Sequence, residues 1–180
     1  ITPAGSTKRF ITNVGASMSR GLESFVEWNI VKTFKQNAVY DVSLFITYAF
    51  NNATYSSNFK DANTKGKKLE NAPSHIFRSG ISLGKKNILL TTQINYVGQT
   101  FSDGNNTVIP SAISNTGLIA AYIVADVTLT YKVKSNVTVK AGVNNIANTN
   151  YFTRRAGGYP GPGALPADGR TGFFSVGFKF

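Results

Sequence analysis

The chain contains no cysteine and, in 180 residues, a single histidine, His75. The first absence excludes disulfides and thiol nucleophiles, and the second excludes multi-His or Cys metal sites within the chain. Acidic residues are scarce too, with eight Asp and Glu against 19 Lys and Arg and a formal charge of +11. No paired acid and base stand at a working spacing, and His75 follows Pro73 and Ser74 with no catalytic partner in view. The expectation is therefore a non-enzyme with no cofactor and no metal, His75 being structural or interfacial. Long apolar runs are also missing. Although 42% of residues are hydrophobic, none of the runs approaches the roughly 20 residues of a membrane helix, so any crossing must be by strands. The glycines of 157–163 lack the Lys-Ser/Thr of a phosphate loop and are read as a flexible connection. The chain opens at Ile1 without a charged-then-apolar leader, so an export signal is expected to have been removed or to lie upstream.

What is present favours strands and turns. Phe occurs 13 times, Tyr 8 times and Gly 17 times, and Asn recurs in clusters, a mixture suited to strands separated by turns, with helix a minor feature. Period-two alternation then repeats seven times. Leu22, Val26, Trp28 and Ile30 oppose Glu23, Phe25, Glu27 and Asn29. Tyr40, Val42, Leu44, Ile46, Tyr48 and Phe50 oppose Val39, Asp41, Ser43, Phe45, Thr47 and Ala49. Phe77, Ile81 and Leu83 oppose Arg78 and Ser82, and Ile88, Leu90, Thr92, Ile94 and Tyr96 oppose Asn87, Leu89, Thr91, Gln93, Asn95 and Gln99. Ile119–Val133 carries Asp126 on its polar side, Val137–Asn145 carries Lys140, and Phe174, Val176, Phe178 and Phe180 oppose Lys179. Charge avoids the apolar set. Runs of roughly 9 to 14 residues exceed the 5 or 6 of a soluble sandwich and suit tilted strands crossing a bilayer. Trp28, Leu44, Ile94, Ile123, Val139 and Phe178 are expected to point into lipid, and Asp126 and Lys140 to approach each other on the lumen side.

Connections alternate in length. Short ones near 32–38, 84–87 and 133–136 interleave with long ones near 51–73, 101–117 and 148–171, while residues 1–18 read as the remainder of another long loop. Outer-membrane barrels place short turns toward the periplasm and long loops outside. The cations follow both sets: Lys32, Lys35, Lys85, Lys86, Lys132 and Lys134 on the short side, and Lys60, Lys65, Lys67, Lys68, Arg154, Arg155 and Arg170 on the long side. Two basic rims suit anionic lipid headgroups, with a solubilising basic surface as the plainer reading; no single face gathers the stripe of a nucleic-acid binder. Seven strands leave open edges in lipid, so more strands are expected before Ile1.

Several segments in order carry a family resemblance: Asn13-Val-Gly-Ala-Ser-Met-Ser-Arg-Gly-Leu-Glu23, Leu69-Glu-Asn-Ala-Pro-Ser-His75, Tyr96-Val-Gly98 with Asn105 and Asn106, and Tyr122 to Asp126. Gly142-Val-Asn-Asn-Ile-Ala-Asn-Thr-Asn-Tyr151, the Gly/Pro loop, Gly169-Arg170 and the closing strand to Phe180 complete them. From Asn13 to Phe180 the chain resembles the C-terminal barrel portion of TonB-dependent outer-membrane receptors. The resemblance implies an all-β, transmembrane, antiparallel up-and-down barrel of about 22 strands. Residues 1–180 would supply seven of these as one part-domain, with the plug and earlier strands elsewhere. It implies localisation in the bacterial cell outer membrane, coupling through the plug to the TonB complex, and contact with lipid, lipopolysaccharide and a surface lipoprotein. Asn144 and Asn145 are read as turn residues.

Residues Tyr151–Pro166 resemble loops of receptors for ferric citrate and related iron chelates, which implies transport of a ferric chelate. The expected contacts are Arg154, Arg155 and Arg170 on an anionic ligand or on lipopolysaccharide phosphates, with Tyr151 and Tyr159 as walls. A passive porin, or a receptor for vitamin B12, oligosaccharide or peptide, is the alternative.

Overall fold

The computed structural model describes residues 15–58, 63–159 and 161–179. Residues 1–14, Lys60, Pro160 and Phe180, on which parts of the sequence reading fall, lie outside the described residues. The chain forms β1 (Ser17–Asn29), α1 (Ile30–Phe34), β2 (Tyr40–Tyr55), β3 (His75–Lys85), β4 (Ile88–Val97), β5 (Thr100–Phe101) and β6 (Leu118–Ile119). It continues through β7 (Tyr122–Lys134), β8 (Val137–Asn144), β9 (Phe152–Ala156), β10 (Gly163–Pro166) and β11 (Thr171–Phe178). One antiparallel sheet of seven strands runs β1-β2-β3-β4-β7-β8-β11, so every long strand pairs with its neighbour in sequence. Short turns at one end and long loops at the other match the expected asymmetry. At the short end the single helical turn α1 is capped by Asn29, whose side chain accepts from the Lys32 amide at 2.9 Å, and Lys86 turns the β3–β4 hairpin at φ 53°.

Directly paired residues share a face, so the register sorts the side chains. One row runs Trp28, Leu44, Ile81, Thr92, Val127, Val143, and the next toward the short turns runs Val42, Leu83, Leu90, Leu129, Ala141, Phe174. Ile94 opposite Ala125, Val139 opposite Tyr131 and Phe178 opposite Val137 lie on this same face, and Ile123 shares it two residues from Ala125. All six residues expected to look into lipid therefore fall together. The charges on this face sit at its ends, Arg20 beside Asn52, Lys85 beside Tyr40 and Lys134 beside Val137. Glu23, Glu27, Asp41, Arg78, Asp126 and Lys140 occupy the other face, with Gln93 and the strand threonines.

The burial pattern is that of a sheet meant for hydrocarbon. Among the described residues the buried ones are Ala53, Thr64, Gly98, Thr100, Gly117, Ile119, Val124 and Asn145 near the long loops and Gly80 within β3, and no large side chain is fully enclosed. Leu22, Val26, Trp28, Ile81, Ile94, Ile123 and Phe174 are exposed instead. A continuous apolar surface of this extent is far beyond what a soluble monomer leaves in water. Two aromatic rows bound it. Tyr40 and Tyr131 mark the short-turn end, and Tyr48, Phe77 and Tyr96 mark the other. From Tyr40 to Tyr48 the strand advances about 26 Å, the scale of an apolar band between aromatic girdles. His75 stands just beyond, its Nδ1 2.9 Å from the Tyr48 hydroxyl and its ring 5.3 Å from that of Phe50, which places it at the interface.

Three expectations change. The run assigned to Ile119–Val133 breaks at Ala120 and Ala121, because Leu118 and Ile119 leave the sheet to pair with Phe101 and Thr100. The β2 strand continues to Tyr55, where a loop had been expected from Asn51, since Ser17 to Gly21 extend alongside it and the Ser19 hydroxyl donates to Asn51 Oδ1 at 2.6 Å. Asp126 and Lys140 do share a face, but Lys140 lies opposite Thr130, four residues along β7 from Asp126, a distance of about 13 Å. Asp126 instead accepts from Gln93 Nε2 at 2.9 Å and from the Asn145 amide at 2.8 Å.

On the polar face two phenylalanines lie flat over glycines directly opposite them, Phe45 over Gly80 and Phe173 over Gly142. A Cβ at Gly80 would enter the Phe45 ring and come within 2.7 Å of the Thr92 carbonyl oxygen, which is backbone and has no room to yield. Gly80→Ala is expected to lower the stability of the folded barrel by about 2 kcal/mol, the cost of overpacking a tight site. Urea titration of the complete receptor, followed by heat-dependent gel mobility, checks this. An unchanged midpoint would mean the ring swings away freely.

Candidate ligand site at the outer rim

The long connections are not independent loops. In the connection between β2 and β3, Lys68 bridges back to Thr54, and its ammonium donates to Asn52 Oδ1 at 2.8 Å and Ser74 Oγ at 3.2 Å. The Tyr55 hydroxyl donates to Glu70 in the same connection. The next, between β4 and β7, is pinned by the β5–β6 ribbon and by Asp103, whose Oδ1 accepts from the Asn105 amide at 3.0 Å and the Thr107 hydroxyl at 2.9 Å. Asn106, held at φ 54°, joins these two: its Oδ1 accepts from the Lys68 amide at 2.7 Å and its Nδ2 donates to the Lys68 carbonyl at 2.8 Å. A left-handed backbone suits Asn because its short side chain bonds locally.

The last long connection, between β8 and β11, folds into its own ribbon, β9 against β10. Asn145 starts it. With φ 49° and 2% exposure, Asn145 accepts from the Thr149 amide at 2.8 Å and donates to the Thr149 carbonyl at 2.9 Å and the Asp168 carbonyl at 3.4 Å. It thus has the turn role read for it and also ties both ends of the connection together. Arg155 ties this ribbon to the preceding loop. Its guanidinium donates to the carbonyls of Ser114 at 3.0 Å and Leu118 at 2.9 Å and lies 4.8 Å over the Phe152 ring. The three connections form one continuous cap.

The five residues singled out from sequence are distributed over this cap and do not converge. Arg155 is half-buried and committed to loop carbonyls. Its neighbour Arg154 lies opposite Leu165, on the other face of the ribbon, and is exposed. Tyr159 stands fully in solvent at the ribbon's tip, 101% exposed. Arg170 is exposed at the entry to β11, its amide donating to Asn148 Oδ1 at 2.9 Å. The side chains of Arg154 and Arg170 bond to none of the described residues. Tyr151 stacks on Tyr122, ring centroids 4.3 Å apart.

Tyr122 escaped the sequence reading as a site residue, and so did Arg78. Both are on the polar face: Tyr122 opposite Val97, which is opposite Ile76, and Arg78 two residues deeper along β3. The alternation of β3 already put Arg78 on that side, and its depth became visible only with the register. The arrangement can attract an anion: exposed guanidiniums at the rim, an aromatic pair at the mouth, and one cation on the inner wall.

Comparison with known structures supports the fold. The ferric citrate transporter FecA in its unliganded form superposes with a TM-score of 0.80 at 23% identity, over 91% of this chain and 24% of that one. The ferric yersiniabactin uptake receptor FyuA from Yersinia pestis gives 0.69 at 17% identity over 93% and 24%. The siderophore receptor PiuA from Acinetobacter baumannii gives 0.67 at 20% identity over 93% and 22%. The chain thus spans about a quarter of the length of each. No curated protein sequence matches. The family described as TonB dependent receptor-like, beta-barrel matches residues 1–146. With that match over most of its length and an antiparallel sheet apolar on one face, this chain belongs to the TonB-dependent receptor β-barrels, proteins of the bacterial outer membrane.

Proposed function

We propose that the receptor to which these strands belong imports a ferric chelate of net negative charge, captured by the cap and passed inward along the polar face. It would do so with a plug inside a barrel of about 22 strands and with energy from the TonB complex. The observation carrying this reading is that Arg154 and Arg170, exposed on the outward side, have no side-chain partner among the described residues, although the exposed Asp168 lies in the same connection, while Glu70 and Asp103 of the other connections already accept hydrogen bonds. Tyr151 on Tyr122 offers a flat wall, and Arg78 below it offers a second stop for an anion. Similarity in fold to a ferric citrate transporter and a ferric yersiniabactin uptake receptor is consistent with this substrate class. Arg155, engaged with loop carbonyls, would shape the site, and Tyr159 would close over a ligand from the tip.

The test is uptake of radiolabelled ferric citrate by cells carrying the complete receptor, with surface level measured in parallel. Arg154→Ala combined with Arg170→Ala should weaken apparent affinity about tenfold, the effect of losing two exposed charge contacts, and the loss should shrink at high salt. Wild-type uptake with the double variant at equal surface level would remove these arginines from the ligand path and leave lipopolysaccharide phosphates as their partner. No uptake of any ferric chelate by the wild-type receptor would overturn the substrate class itself.

A further inference from the structure

At the short-turn end of the apolar face, a shallow groove of about 670 Å³ runs between Tyr40 and Tyr131, with Lys85, Lys86 and Ile88 along its rim. The register explains it. Tyr40, Lys85, Ile88 and Tyr131 form one row across four strands, and Val42, Leu83, Leu90 and Leu129 form the next row toward the membrane centre. The two large rings stand at the flanks of the first row, and the smaller side chains between them leave the hollow. Trp28 and Phe34, edge to face at 6.4 Å, sit one strand away, Trp28 in the row of Leu44.

The free charge of this groove is cationic. Lys85 and Lys86 are exposed, and the one carboxylate residue along the groove, Asp41, is already paired with Lys32 at 3.2 Å, the one ion pair among the described residues. Asp41 pairs with Gly84 on the opposite face of the sheet, where it also accepts from Asn29. Its carboxylate is thus engaged from that side and leaves Lys85 and Lys86 without an ion-pair partner. Two unneutralised ammonium groups above a strip of Val and Leu make a site with an anionic head and an apolar tail. A soluble anion would satisfy only the first half, and a neutral lipid only the second.

We propose that this groove is a binding site for an anionic glycerophospholipid of the inner leaflet. Its phosphate rests between Lys85 and Lys86, Tyr40 and Tyr131 flank the glycerol region, and an acyl chain lies over Val42 and Leu83. The site depends on family membership, which puts the short turns on the periplasmic side, and is independent of the nutrient carried. Each ammonium near the surface strengthens anionic lipid binding, and together the two give about a thirtyfold preference over a site without them.

The experiment is native mass spectrometry of the complete receptor in detergent, titrated with phosphatidylglycerol and in parallel with phosphatidylcholine. One phosphatidylglycerol should remain bound at low lipid, and phosphatidylcholine should not. Lys85→Gln with Lys86→Gln should weaken retention about thirtyfold, whereas Arg at both positions should keep it. Lys35→Gln with Lys134→Gln, which removes equal charge from the same rim away from the groove, should leave retention unchanged. Both lysines of the groove are exposed, so folding is not at stake, and heat-dependent gel mobility verifies it. Equal loss in the two double variants would show a diffuse surface potential in place of a site, and undiminished retention in the first would refute the proposal.

Discussion

Asn145→Ala is expected to be the most damaging single substitution among the polar residues, costing about 4 kcal/mol in the integrity of the last outer connection. Two contributions add. Alanine has no local side-chain bond to stabilise the left-handed backbone at φ 49°, a conformation that costs roughly 1 to 2 kcal/mol. The substitution also strips the Thr149 amide, the Thr149 carbonyl and the Asp168 carbonyl of their partner in a site that is 2% exposed. Buried groups left unsatisfied cost about 1 to 3 kcal/mol each, discounted here because water enters a loop readily. Asn145→Gly separates the two, since glycine adopts the backbone freely but restores no bond, and it should recover only the smaller part. The readout is limited proteolysis of whole cells, with cleavage between residues 149 and 168 as the signal. Surface-exposed receptor bearing Asn145→Ala that resists protease as well as wild type would contradict this account.

The fold was legible because lipid and lumen impose opposite demands on alternate residues. Trp28, Leu44 and Ile94 could be assigned to one face without knowing any contact, and the structure puts them there. Which connections are short and which are long was legible for the same reason, but the end of β2 was not, since the strand runs on to Tyr55 beside Ser17. Register was not. Period two fixes which face a residue occupies but leaves its partner undetermined until the turn is located, and the β7–β8 turn falls at Ser135 and Asn136, with a shift in pairing between Lys132 and Lys134. A turn assumed near Lys134 put Lys140 close to opposite Asp126; the real one puts it opposite Thr130. The site was the least legible part. Arg154 and Arg155 look equivalent in a stretch rich in Gly and Pro, which reads as loop. Once that stretch forms the β9–β10 ribbon, adjacent residues must face opposite ways, so one arginine is freed and the other is enclosed. That ribbon rests on contacts with a loop more than thirty residues away, as the Arg155 to Ser114 separation of 41 shows, and no local pattern encodes such a contact.

Removing that contact should have the second-largest effect. Arg155→Ala deletes two hydrogen bonds from a cation to loop carbonyls and a ring contact with Phe152. Bonds to a charged group contribute about 1.5 to 3 kcal/mol each, and a cation over a ring adds about 0.5 to 1 kcal/mol. Against this stands a cost already present, because Nε of Arg155 is buried without a partner, so a net loss of about 3 kcal/mol is expected. The loss is local. The seven-stranded sheet holds its pairing, and what opens is the seam between the β5–β6 loop and the β9–β10 ribbon. Hydrogen exchange of the complete receptor should therefore quicken roughly a hundredfold at the amides of Thr116, Leu118 and Arg155 while the strand amides of β7 and β8 keep their protection. Arg155→Lys should not rescue it, since a single ammonium lacks the planar fork that reaches both carbonyls at once. If lysine restores protection, the charge alone holds the seam. If alanine leaves exchange unchanged, the loops are held by their own turns and the cap is not one unit. A cap opened at this seam would still display Arg154 and Arg170, so ligand capture and loop cohesion can be separated: the double variant weakens binding with exchange unchanged, and Arg155→Ala changes exchange first.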